Sequence, residues 1–122
     1  MANAVVWVDI PAKKLGRATR FYSAVLAAKI EVQDVGGGTK LAFLPMSPGE
    51  VAGCLYKAEG DVKPGKNGPM VYLNCDGRLD AALAEVEKAG GKVLQPAHSI
   101  GPHGFRAVIL DSEGNRVALH SR

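Results

Sequence analysis

The chain states one structural sentence twice. Val6-Trp7-Val8-Asp9-Ile10, an amphipathic helical stretch from Leu15 to Ala27, and the strand-like Lys29-Ile30-Glu31-Val32 recur as Val71-Tyr72-Leu73-Asn74-Cys75, a helical stretch from Leu79 to Ala89, and Lys92-Val93-Leu94. A duplicated strand-helix-strand unit constrains the fold more than any single residue, because two copies of a half-built sheet can enclose what neither encloses alone. The duplication therefore predicts a cavity, and a cavity predicts a small-molecule site.

Each copy continues in the same way. After the helices come strand-like runs separated by turn residues: Ile30 to Val35, Lys40 to Pro45 and Cys54 to Lys57 in the first half, then Val93 to Gln95, Phe105 to Leu110 and Arg116 to His120 in the second. Gly36-Gly37-Gly38 supplies a hairpin tip, and Ser112-Glu113-Gly114-Asn115 a second tight turn. The pattern predicts an α+β domain of two βαβββ modules, residues 1–62 and 69–122 joined by a linker over 62–68, with curved sheets forming an open barrel-like wall and helices outside. Asp76 is placed to cap the second helix and Gly90-Gly91 to stop it. Lys13, Arg17 and Arg20 form a basic stripe on the first helix, suited to solvent or to an anionic partner.

At 122 residues the chain needs no disulfide staple, and Cys54 and Cys75 lack the spacing of a redox motif or zinc knuckle. The net charge of +3 is dispersed, which argues against nucleic-acid binding. Met1-Ala2-Asn3-Ala4 runs into a strand without a basic start or long apolar run, so no membrane association and a cytoplasmic location are expected. The triple glycine joins two strands rather than opening a helix, and Pro64-Gly65-Lys66 lacks Walker spacing, so neither is a phosphate loop.

Side chains alternate across a strand. With Val6 and Val8 toward the helices, Trp7 and Asp9 share the opposite face; Met70, Tyr72 and Asn74 separate likewise from Val71, Leu73 and Cys75, and Ala118 and His120 from Val117 and Leu119. The predicted concave lining is Trp7, Asp9, Cys54, Met70, Tyr72, Ala118 and His120. Trp7 and Tyr72 suit stacking on a planar ligand or simple volume filling. Asp9 with His120 suits a base whose imidazole a carboxylate orients, if the first and last strands meet; otherwise Asp9 serves backbone and His120 lies exposed. His98 and His103 flank a loop-like stretch and lack ligand spacing, which leaves them for a lid.

Arg17-Ala18-Thr19-Arg20-Phe21-Tyr22, the Leu79-Asp80-Ala81-Ala82 helix start followed by Gly90-Gly91, and Asp111-Ser112-Glu113-Gly114-Asn115 before the last strand, set on paired βαβββ modules, resemble the vicinal oxygen chelate superfamily of glyoxalase I, bleomycin- and fosfomycin-resistance proteins and extradiol dioxygenases. The resemblance implies a homodimer. It also implies metal ligands at the positions of Trp7, Cys54, Met70 and Ala118, where this chain has no carboxylate or imidazole, so no metal and no cofactor are expected. Trp7-Val8-Asp9 and the closing Leu119-His120-Ser121 look closest to a glyoxalase-like branch without the ligand set. Three readings stand at this point: a metal-free small-molecule binder, a lyase, isomerase or dioxygenase on a carbonyl or vicinal-oxygen substrate, and a structural or interaction module with a filled cavity.

Overall fold

A computed structural model describes residues 3–122. In chain order it contains β1 (Trp7–Ala12), α1 (Leu15–Val25), β2 (Val32–Asp34), β3 (Lys40–Phe43), β4 (Ala52–Lys57), β5 (Val71–Asn74), α2 (Leu79–Val86), β6 (Lys92–Ser99), a 3-10 turn (Gly101–His103), β7 (Phe105–Leu110) and β8 (Arg116–Ser121). Both halves are βαβββ, and their sheets have matching orders, β1-β4-β3-β2 and β5-β8-β7-β6. The first strand of each half runs parallel to the last, Asp9 beside Cys54 and Asn74 beside His120, while the other pairings are antiparallel. The sheets share no ladder and do not close into a barrel, so β1 and β5 each pair on one side only. No helix among the described residues is long and apolar enough to cross a membrane.

Strand alternation decides where the core forms. Ile10 and Ala12 of β1, Leu55 of β4, Leu73 of β5, Ile109 of β7 and Leu119 of β8 point inward and join Phe21, Val25, Ala82 and Val86 of the helices in one cluster. Burying an aliphatic or aromatic side chain of this kind is worth about 1.5–3 kcal/mol, so the inner faces are committed to protein rather than to a ligand. α1 and α2 pack on each other, each against its own sheet. A Cβ at Gly91 would stand 2.4 Å from the Leu110 carbonyl oxygen and 2.6 Å from the Phe21 ring, so glycine there lets the second half close on α1.

A buried polar clamp crosses the same seam. Tyr22 donates its hydroxyl to Asp111 Oδ2 at 2.6 Å, and Asp111 Oδ1 accepts the backbone N–H groups of Glu113 and Asn115. Asn115 in turn donates to the Pro11 carbonyl at 2.7 Å. Glu113, its side chain fully buried, takes a forked pair of bonds from Arg17, Nε at 2.7 Å and Nη2 at 3.0 Å, together with the Lys14 N–H and the Ser112 hydroxyl. The turn between β7 and β8 is thus fastened to α1 and β1 of the other half.

Several local expectations change. Val6 precedes β1 and is 72 % exposed instead of facing α1. Asp76 does not cap α2: the N-cap residue is Arg78, which makes no side-chain capping bond. Gly77, at φ 74°, turns the chain between them, and Asp76 Oδ1 accepts the Arg122 N–H instead. Arg17 leaves the basic stripe for Glu113. His98 lies within β6 rather than in a loop, because that strand extends to Ser99 through two register shifts against β7.

Candidate functional site

The outer faces of the two sheets carry the predicted site residues, and they divide them. On the first sheet, Trp7 donates its indole N–H to Asp9 Oδ1 at 2.8 Å, and Cys54 donates its thiol to the same oxygen at 3.3 Å. Phe43 meets Trp7 edge-on, centroids 6.1 Å apart at 79°. Trp7, Asp9 and Cys54, with Leu41, Tyr56 and the Gly37-Gly38 tip, border an open groove of ≈ 1020 Å³. Oδ2 of Asp9 has no hydrogen-bond partner among the described residues. Cys54 is 2 % exposed, and burial first, then the Asp9 bond and charge, push its thiol up to about 11 against a small opposing effect of Trp7. It therefore stands as a protonated donor, with little thiolate for nucleophilic attack.

On the second sheet Tyr72, 47 % exposed, presents its ring to the edge of His120, centroids 6.2 Å apart. His120 Nε2 donates to the His103 carbonyl at 2.6 Å, a carbonyl delivered by the 3-10 turn and by Gly104 at φ 97°. Ala118 lies between β5 and β7 in register with Tyr72 and Val108 and is fully buried, so its methyl is floor rather than contact surface. Met70, immediately before β5, is half-buried. Arg106 of β7 completes this face: it donates to the Tyr72 hydroxyl and, from Nε at 3.1 Å, to His98 Nε2.

Trp7, Asp9 and Cys54 share no hydrogen bond, ring contact or groove with Tyr72, Ala118 or His120 within one chain. Asp9 is bonded to Trp7 and Cys54 and His120 to the His103 carbonyl, with no hydrogen bond between the two. The depression that lies between the halves, ≈ 720 Å³, is bordered by Val8, Leu26, Leu44, Leu73 and Arg78 and, of the predicted site residues, by Tyr72. Sequence reading missed Phe43, Tyr56 and Arg106. Their parity was available, since each stands an even number of positions from a neighbour on the same outer face.

The family model described as Glyoxalase/Bleomycin resistance protein/Dioxygenase superfamily matches residues 4–119. This chain belongs to that superfamily. A glyoxylase-like domain-containing protein from Didymella fabae is 33 % identical over 121 residues, covering 94 % of this chain and 91 % of its own. Among solved structures, a glyoxalase/bleomycin resistance protein from Albidiferax ferrireducens superposes with TM-score 0.75 at 20 % identity, over 98 % of this chain and 100 % of that one. A glyoxylase/bleomycin resistance protein/dioxygenase domain from Frankia sp. gives 0.72 at 20 % identity over 99 % and 98 %. At such identities these neighbours establish the fold.

Within the superfamily a divalent metal is the common cofactor, and the donor set here does not fit one. Of the four corresponding positions, Trp7 and Cys54 are both spent on Asp9, Met70 offers a thioether and Ala118 a buried methyl. Among the described residues no group of three or more His, Cys, Asp or Glu side chains converges on a point. Catalytic zinc takes three protein ligands and hard cations take several oxygens, so this superfamily member lacks the set at that place.

Proposed function

We propose that this superfamily member binds a small planar organic molecule without a metal ion, seated over β1, β3 and β4 with Trp7 as stacking platform and Asp9 as polar anchor. The observation that carries the reading is the state of Trp7: 41 % exposed on the wall of the groove, yet held by Asp9 and braced by Phe43. An aromatic ring already fixed loses little freedom when a ligand stacks on it. A side chain meant only to fill volume would be buried like Phe21 and Tyr22, both 0 % exposed. The unpartnered Asp9 oxygen sits where a ligand N–H or O–H can reach it.

We further propose a cytoplasmic homodimer, in which both unpaired thiols, Cys54 and Cys75, stay reduced. Its support is that β1 and β5 are unpaired edges flanked by exposed Val6, Trp7 and Tyr72, a combination that proteins usually cover. Participation of Met70, Tyr72, Ala118 and His120 in the same ligand site depends on that assembly.

Tryptophan emission tests the binding reading, because Trp7 is the sole tryptophan. A screen of planar heteroaromatic compounds should give saturable quenching, weakened by Asp9→Asn, and calorimetry on the same compounds should show Trp7→Phe binding more weakly. Uniform silence across the screen, or calorimetric affinity indifferent to Trp7, contradicts it.

A further inference from the structure

We propose that the outer face of the second sheet is an anion-recognition surface, built on Arg106 and fitted to the carboxylate of a small organic molecule. Its composition is one-sided. No residue of β5, β6, β7 or β8 is Asp or Glu, whereas these strands carry Lys92, Arg106 and Arg116 with His98 and His120. Register sets Arg106 directly between His98 on β6 and His120 on β8, all three outward. The groove on the first sheet is mixed in charge, with Asp9 and Glu59 beside Lys40 and Lys57.

Arg106 is held ready. Its guanidinium lies 5.9 Å from the centroid of the Tyr72 ring, Nη1 donates to the Tyr72 hydroxyl oxygen, and Nε donates to His98 Nε2. An imidazole nitrogen that accepts a hydrogen bond carries no proton, so the His98 proton is on Nδ1, where the Pro96 carbonyl receives it at 2.8 Å. His98 therefore orients Arg106 as a neutral acceptor and leaves its charge undiminished. No carboxylate compensates that charge: the ion pairs among the described residues are Arg17–Glu113, Lys29–Glu31 and Arg122–Asp76. Nη2 keeps both N–H groups, and Nη1 one, for a partner.

The surroundings define the partner. Because the Tyr72 oxygen accepts from Arg106, its own O–H is free to donate outward. Beside the ring a depression of ≈ 220 Å³, lined by Asn74, His120 and Arg122 but not by Arg106 itself, leaves room for the carbon frame of such a molecule. Asp76 also borders it, but that carboxylate is taken by the Arg122 backbone N–H at 2.8 Å and side chain at 3.8 Å. One fixed planar guanidinium with an adjacent hydroxyl donor matches a planar monoanion, and the exposed Tyr72 ring gives apolar contact to the carbon frame. This face lies apart from the Trp7 groove within the chain.

The test uses the full chain and benzoate, with benzamide as neutral isostere and phenyl phosphate as competing anion. Arginine Nε–Hε resonances should show the Arg106 signal moving saturably with benzoate, and benzamide should bind about tenfold more weakly or worse, as loss of a charge-assisted bond requires. Arg106→Gln should abolish saturation and Arg106→Lys retain part of it, with thermal midpoints close to the parent confirming folded variants. Lys13→Gln, which removes an exposed charge away from this face, should leave benzoate affinity unchanged. Equal binding of benzoate and benzamide, a benzoate affinity indifferent to Arg106→Gln, or tighter binding of phenyl phosphate overturns the carboxylate assignment. Loss of benzoate binding in Trp7→Phe with Arg106→Gln unaffected would also overturn it, while leaving the groove reading intact.

Discussion

Replacing Glu113 by Gln should unfasten the two halves by an amount that the structure sets. Burial alone raises the Glu113 carboxyl, but the Arg17 fork, the Lys14 N–H and the Ser112 hydroxyl outweigh it and bring it from 4.5 down to about 2. At about 1.4 kcal/mol per unit, the ionised form contributes at most about 3 kcal/mol to folding. Arg17 is 39 % exposed and regains water when released, which screens the pair and reduces the expected loss in Glu113→Gln to about 2 kcal/mol. For a domain of this size that corresponds to roughly 6–10 °C in thermal midpoint. A carboxyl held low in the folded state stabilises fully above its unfolded value and loses that contribution as pH falls toward its folded value. Urea unfolding of parent and variant from neutral pH downward should therefore show a constant gap above pH 4.5 that narrows toward about 2. A gap below about 0.5 kcal/mol at neutral pH, or one that persists undiminished through the acid range, refutes the reasoning.

Tyr22→Phe leaves the buried Asp111 one donor short and should cost about 1–3 kcal/mol by urea unfolding. Burial and then Asp111 raise the Tyr22 hydroxyl well above 10, so phenolate absorbance should show one tyrosine of three resisting titration until the protein unfolds, with stability falling at strongly alkaline pH. Cys54 should alkylate slowly at mildly alkaline pH, and Asp9→Asn should speed it several-fold by removing a neighbour that raises the thiol; an unchanged rate in the variant would detach Asp9 from Cys54. Zinc, nickel or manganese should leave the thermal midpoint in place, and a stoichiometric metal-dependent rise would restore a chelating site.

The fold was legible because its signals are local and doubled. Period-two alternation put Trp7 with Asp9 and Tyr72 with Asn74, and the helical stretches expected over 15–27 and 79–89 contain α1 and α2. What sequence could not convey was the meeting of distant parts. Glu113 is 96 positions from Arg17, and nothing local distinguishes this arginine from Lys13 and Arg20 on the same stripe. The expected lining is divided within the chain for a similar reason: the inner faces are apolar, so the halves bury those faces with their helices and leave the polar faces outward. Asp76 illustrates a smaller case, since a one-residue turn at Gly77 moves the helix start beyond its reach. Chemistry was less legible than fold. Arg106 draws its character from Tyr72 and His98 on two other strands, and no spacing along the chain announces that triangle.

A crystal soaked with a planar compound that quenches Trp7 gives the most direct test of the binding reading. The account predicts ligand density stacked on the indole, with a polar atom at Asp9 Oδ2 and no ion at Cys54. Density confined to the depression between the halves bordered by Leu26, Leu44 and Val71, or a cation bound beside Cys54, would contradict it.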